Sequence, residues 1–573
     1  MPTNSTNKGV DSQSTADIQG EYTDFPGSWE GFLDAFIIIV LIIVAGIVAL
    51  WLRGEMTSRE RRRASEVDAA GRRRLTECEE VVRYFANQHG YLARTVVSRE
   101  DLAEQIDAGV TADELTDFII ARMEAVDGIE LGSQAGSWPI KVPQETRARH
   151  MYVVGKSGYG KTNLLRYLIL QDISKGAGIG VLAPEAEMLT EEILPFIPEE
   201  RLKDVIYFNP ADLAQPVVLN PLHLDQGDDI DLHVDETFTI LQRVVGEGGP
   251  RMDEILRHSL YALCERQGST LLDLEPLLDR QDDALREAVI ASTQDEQTKR
   301  FFLSTYPQFP KDAHFPIVNR ISRLVRNKYV RNCLCPPTRT SLTQIEIAHR
   351  LLNVRTAMDH GKILLFNLSD GILGEAASQL IGQLIVAKFQ TATMSRANIA
   401  KGERRPFYLY LDEFQNFCSV ASQSYEKLLS RARKYGLGLI LAHQQTRQVP
   451  LELYREILGN VSTLISFQVA QADAGRLAPE FISQIDLSIE ALPPEELLRL
   501  NIGEAYCRIG KTTMLLKVPK IDLEGDPQMA NAVITASRQQ SGIPRLPMGA
   551  GQPPQLSGTD DPLADIDPEG VFE

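Results

Sequence analysis

Residues with metal-binding chemistry are scarce in this sequence and poorly spaced for it. Six cysteines, Cys78, Cys264, Cys333, Cys335, Cys418 and Cys507, contain no C-x-x-C pair, and Cys333 and Cys335 stand too close for a zinc knuckle. The nine histidines contain no H-E-x-x-H pairing. A zinc site is therefore not expected, and dispersed reduced thiols in a cytosolic bulk are. Basic residues are also in deficit, 59 Lys and Arg against 78 Asp and Glu, for a formal charge of −19. That balance excludes a uniformly basic nucleic-acid coat but leaves room for a local basic channel. No L-S-G-G-Q signature is present, which argues against a transporter of the ABC class, and no internal repeat or base-reading motif is visible. What remains is ordinary globular material, 43% hydrophobic and 24% charged, in 573 residues, more than one core usually fills.

Against that background one motif is complete. Gly155-Lys156-Ser157-Gly158-Tyr159-Gly160-Lys161-Thr162 matches G-x-x-x-x-G-K-[ST]. It follows the apolar run Met151 to Val154 and precedes a helix-permissive stretch from Asn163. A strand that delivers the chain, small residues that turn amide N–H groups outward and a helix N-terminus are what a phosphate requires. Lys161 is placed for the β- and γ-phosphates, and Thr162 offers its hydroxyl to Mg²⁺. Nucleotide binding, with ATP and Mg²⁺ as cofactors, is the expectation.

A second apolar run, Phe407 to Leu411, ends in Asp412-Glu413. Asp412 is expected in the metal shell, and Glu413 is expected to activate a water aimed at the γ-phosphate. The next run, Leu437 to Ala442, ends in His443-Gln444-Gln445, where Gln444 is read as a γ-phosphate sensor. Ser430-Arg431-Ala432-Arg433-Lys434 leads into that run, and three cations there cannot all serve one internal site. An arginine at a subunit boundary, completing a neighbour's site, fits them better.

Ala35 to Leu52 is an uncharged apolar stretch of membrane-spanning length. Acidic residues precede it, and Arg53, Arg59, Arg61, Arg62 and Arg63 follow it. The positive-inside bias predicts a single-pass protein of the inner or plasma membrane, N-terminus outside and bulk cytoplasmic. The expected organisation is an external disordered tail (1–30), a transmembrane helix (31–53) and a helical juxtamembrane linker (54–130). A motor built from 131–230 and 338–521 follows, interrupted by a helical insertion (231–337). A disordered acidic tail (522–573) ends the chain. Apolar runs alternating with helical stretches define the class as α/β in three layers, with a mainly parallel sheet.

Taken together, Arg149 through Thr162, Phe407 through Phe417 and Ala432 through Gln444 resemble the TraG/TraD-type coupling proteins of type IV secretion and conjugation, within the FtsK–HerA superfamily of P-loop ATPases. The blocks Val318 to Leu324 and Gly361 to Leu373 share the likeness, which covers about residues 130–515. The resemblance implies a RecA-like motor, a homo-hexameric ring around single-stranded DNA, and relaxase or secretion-channel proteins as partners. It also implies that Arg433 is the arginine finger and that Arg149 contacts a neighbour's nucleotide. Two departures stand out. Ala183-Pro184-Glu185-Ala186-Glu187 replaces an Asp-Pro-x-Gly-like turn, leaving the role of Glu185 open, and one membrane span stands where many relatives have two.

From Asp312 to Glu346 no acidic residue intervenes, while Arg320, Arg323, Arg326, Lys328, Arg331 and Arg339 all occur. Phosphate contact and an inter-subunit surface account for this run equally well. The leading expectation is a membrane-anchored ring ATPase that translocates DNA or a DNA–protein complex. A protein-secretion ATPase, a soluble-type repair translocase and a nucleotide-gated receptor without pumping are the alternatives. Asp412, Glu413 and Gln444 together argue against the last.

Overall fold

The computed structural model describes residues 71–85, 97–134, 138–224, 228–245, 249–280, 283–485 and 488–546. The expected membrane span and external tail lie outside these residues. Among the described residues no helix is long and apolar enough to cross a membrane.

Two units make up the chain. In the smaller, Met1–Val81 with Ile106–Leu115, Arg74 Nη1 donates to the Gly109 carbonyl at 3.0 Å. The larger, Val82–Gln105 with Thr116–Glu573, carries the sheet and the site. The expected linker 54–130 is thus not one segment: it is divided between the two units, and its end already belongs to a strand, β1 (Gly128–Gln134).

The strands of the main sheet are, in chain order, β1, β2 (Trp138–Pro143), β3 (Met151–Val154), β4 (Gly178–Ala183), β5 (Val205–Phe208), β6 (Ile363–Asn367), β7 (Phe407–Leu411), β8 (Leu437–His443), β9 (Thr463–Ser466), β12 (Glu504–Ile509) and β13 (Thr512–Lys517). A separate hairpin is formed by β10 (Ile482–Ile485) and β11 (Ser488–Ala491). Across the main sheet the order is β2-β1-β13-β12-β9-β3-β8-β7-β4-β6-β5. From β9 to β5 every pairing is parallel. Beyond β9 the pairings with β12, β13, β1 and β2 are antiparallel.

The parallel strands are buried on both faces, which explains their unbroken apolar sequences. Tyr152 and Val154 of β3 enter one core, and Met151 and Val153 enter the other. The second core takes Leu164, Leu165 and Leu168 from the helix Lys161–Ser174. The first takes Leu256, Leu260 and Leu263 from the helix Pro250–Cys264 and Ile317 and Ile321 from the helix Phe315–Arg326. Between β5 and β6 every described regular element is helical. These helices share their core with one face of the sheet, so the helical stretch is continuous with the motor rather than a module hung from it.

The expected tail is overturned over its described part, to residue 546, and its acidic run from Asp560 lies outside the described residues. The stretch from residue 522, expected as a disordered acidic tail, contains the helix Pro527–Ser541, capped by the Asp526 carboxylate accepting from Gln528 N at 2.8 Å. This helix buries Val533 and Ser537, and Ser537 Oγ accepts the Tyr207 N–H of β5 at 2.8 Å. A short apolar stripe at helical spacing (Ala530, Val533, Ile534) provides the face that packs against the sheet. The polar composition around it hides that face.

Candidate functional site

The phosphate loop leaves β3 between its neighbours β8 and β9, and both hold it. Gly155 N donates to the His443 carbonyl at 3.3 Å, and Lys156 N donates to the Gln468 carbonyl at 2.8 Å. Lys156 Nζ turns away to Gln468 Oε1 at 3.2 Å, and Tyr159 offers its carbonyl to Gly503 N at 3.0 Å. Neither side chain lines the cleft. Gly155 has a steric reason: an added Cβ would sit 2.6 Å from Phe467 Cβ. Gly158 and Gly160 have a conformational one, with φ of 80° and 115°. The loop then enters the helix Lys161–Ser174, whose first turn has no side-chain cap. Lys161 is 4% exposed, and among the described residues its Nζ makes one hydrogen bond, to the Lys156 carbonyl at 3.3 Å. Burial lowers the affinity of this amine for its proton, and Glu413, Asp412 and Glu185 oppose that effect.

The carboxylates come from the end of β7. Because β8 lies between β3 and β7, the strand that ends at Gln444 occupies the centre, with the phosphate loop on one side and the acidic pair on the other. Asp412 is 5% exposed, and burial followed by the neighbouring Glu413 pushes its carboxyl up to about 7, against the pull of Lys161. Its Oδ1 accepts the Glu413 N–H at 3.0 Å. Glu413 has φ 47°, and only His150 shares a positive φ among the described non-glycine residues. Such a backbone is held by its surroundings. Here Gln444 Nε2 donates to Oε1 at 2.8 Å and Gln415 Nε2 donates to Oε2 at 2.7 Å.

These groups enclose a cleft of about 220 Å³ lined by Ser157, Gly158, Gly160, Lys161, Thr162, Asn163, Glu185, Asp412, Glu413 and Gln444. The donor set fits a phosphate with a divalent cation. A buried ammonium with one long bond has unused donors, and so does the uncapped helix turn. Glu185, Asp412 and Glu413 outnumber the one lysine, and this local negative excess favours a cation beside the phosphate. Glu185, whose role the sequence left open, lines this cleft and acts electrostatically on both Lys161 and Asp412. Gln415 and Gln468 had no motif to announce them. The only signal for Gln415 was its place two residues after the acidic pair.

Arg149 and Arg433 are not brought to this cleft. Arg149 precedes β3 and Arg433 precedes β8, so both sit at the opposite end of paired strands from the phosphate loop. Strands of four and seven residues separate them from it by roughly 13–23 Å. Both side chains are exposed.

The class defined by this arrangement is the P-loop nucleotide-binding fold with a carboxylate pair on a nearby strand. Residues 406–484 match the family model TraG-D_C, the TraM recognition site of TraD and TraG. That stretch holds Asp412, Glu413, Arg433 and Gln444, and over it the chain is similar to the TraG/TraD-type coupling proteins. No curated protein sequence matches the chain. Solved structures similar to it include the bacterial conjugative coupling protein TrwBdeltaN70, at 16% identity and TM-score 0.47 over 71% of this chain and 92% of that one. The plasmid coupling protein TrwB in complex with ADP and Mg²⁺ gives 16%, 0.48, 71% and 93% in the same order. VirB4 of Thermoanaerobacter pseudethanolicus gives 14%, 0.47, 69% and 97%.

Proposed function

We propose that this chain is a membrane-anchored ring ATPase of the conjugative coupling type, using ATP and Mg²⁺ to move DNA or a DNA–protein complex. The observation that carries the reading is the placement of Glu413. Its carboxylate is held by Gln444 in the same cleft as Lys161 and Thr162. Lys161 neutralises phosphate oxygens as the nucleotide enters, and the loop amides orient it. Thr162 and Asp412 would hold the cation, which supplies charge neutralisation on the phosphates. Glu413 takes the proton of an attacking water, and Gln444 keeps its carboxylate aimed. Arg433 and Arg149, displaced to the far edge, serve the cleft of a neighbouring subunit, which requires a closed ring such as a hexamer.

Cargo and location rest on charge. Arg323, Arg326, Lys328 and Arg331 are exposed on the helices Phe315–Arg326 and Lys328–Leu334. Among the described residues Arg323, Arg326 and Arg331 have no ion-pair partner. In a chain of charge −19 such a row suits a nucleic-acid backbone. The apolar run Ala35 to Leu52 with its following arginines supports the membrane anchor. Relaxase or secretion-channel proteins are the partners this role implies.

The test is ATP hydrolysis by the full chain in lipid, with and without single-stranded DNA. Stimulation is expected, along with its loss on raising the salt or on the Arg323→Ala, Arg326→Ala double substitution. Hydrolysis indifferent to any nucleic acid would transfer the reading to a protein-secretion ATPase.

A further inference from the structure

His150 stands between Arg149 and β3, is 1% exposed, and has a left-handed backbone at φ 67°. A β-carbon makes that conformation costly, on the order of 1 kcal/mol or more, unless something requires it. The ring shows what does. Nε2 donates to the Leu429 carbonyl at 3.1 Å, and Nδ1 accepts the Leu439 N–H at 3.0 Å. Leu429 lies near the end of the helix Gln415–Arg431, and Leu439 lies inside β8. Between those two anchors runs the short turn Ala432–Tyr435, which carries Arg433. One imidazole therefore bridges both flanks of the turn.

Both bonds need a neutral ring with its proton on Nε2. Burial enforces this by pushing the histidine down to about 4, and the nearby Arg433 charge contributes. The preceding residue is anchored separately: the Arg149 carbonyl accepts the Ser462 N–H at 3.0 Å, just before β9. The left-handed turn at His150 thus lets Arg149 stay tied to Ser462 while the ring bonds the β8 amide and the end of the preceding helix.

We propose that His150 is a positioning residue that sets Arg149 and Arg433 as one outward-facing cationic pair for the nucleotide of a neighbouring copy of this chain. The inference rests on the shared-site reading given above. It assigns His150 to the site of the next subunit and not to the cleft of its own.

The experiment uses full-length chain carrying His150→Gly, which removes the ring and the backbone cost together, and His150→Asn, which tolerates the left-handed backbone but is too short to span both partners. Each variant is expected to bind ATP within about 3-fold of the parent while kcat falls by about 10-fold or more. Mixing either variant with Glu413→Ala subunits should recover hydrolysis, because each supplies what the other lacks. Mixing with Arg433→Ala subunits should recover none. Parent-like kcat in both variants, or recovery with Arg433→Ala, overturns the proposal. Loss of ATP binding in both overturns it too, since His150 would then serve folding. Arg433→Ala mixed with Glu413→Ala is the control that separates the two ideas: without recovery there, the shared site itself falls.

Discussion

Gln444 Nε2 donates to Glu413 Oε1 at 2.8 Å across 31 residues of sequence, joining the ends of two adjacent parallel strands. Gln415 holds the other carboxylate oxygen, so Glu413 keeps its direction despite a strained backbone.

On the proposed ATPase reading, this contact gives Gln444 the task of positioning Glu413 toward an attacking water more than that of a nucleotide ligand. Gln444→Ala is expected to lower kcat for ATP by about 10-fold or more while the affinity for nucleotide changes little. Steady-state kinetics alongside equilibrium nucleotide binding separate the two effects. A fall in affinity with kcat intact would assign Gln444 to binding instead.

The junction between the helical stretch and the sheet carries a titrating group. Glu236, on the helix Ile230–Val245, is 9% exposed and bonded by Gln390 and Thr391 of the helix Glu375–Ser395. Burial pushes its carboxyl up to about 7, against the Thr391 hydroxyl and the charges of Lys427 and Lys388, with Asp228 adding to the rise. The folded value lies above the unfolded one, so the native state binds more protons between about pH 4.5 and 7. The stabilisation is fully present below that window and is lost as pH rises through about 7, an effect on the order of 3 kcal/mol. Glu236→Gln should flatten this part of the profile. Denaturant unfolding of both proteins at pH 5 and pH 8 measures the difference, and parallel profiles would remove Glu236 as its source.

The helix Pro527–Ser541 covers the edge strand β5 and gives Tyr207 N its acceptor. A chain ending at residue 522 leaves that edge and Val533's core contacts unmade. It should melt at least about 5 °C below a chain ending at residue 546 and aggregate sooner, because an uncovered strand edge pairs with other chains. Equal melting temperatures would show the helix to be dispensable.

The phosphate loop, the acidic pair and Gln444 were legible because each follows an apolar run buried on both faces, and such runs stand out without any knowledge of partners. The six cysteines, read as dispersed thiols, are free and buried. Less was legible where the signal is short or half-exposed. β12 alternates buried and half-buried residues over six positions, and β1 and β2 pair around a shifted register, so none of the three reads as a buried run. The helix Pro527–Ser541 was hidden by its polar surroundings.

Sequence alone determined which residues have phosphate and metal chemistry, because G-x-x-x-x-G-K-T and paired carboxylates state their chemistry locally. Strand order decided the rest. It placed β8 between β3 and β7, so that Gln444 meets Glu413, while the parallel direction of β3 and β8 left Arg149 and Arg433 at the opposite edge. Parallel pairing aligns all strand ends in one direction, so residues that follow strands gather at one edge and residues that precede them gather at the other. Only tertiary structure assigns each to its edge, and only there does His150 meet the two backbone atoms that explain its strain.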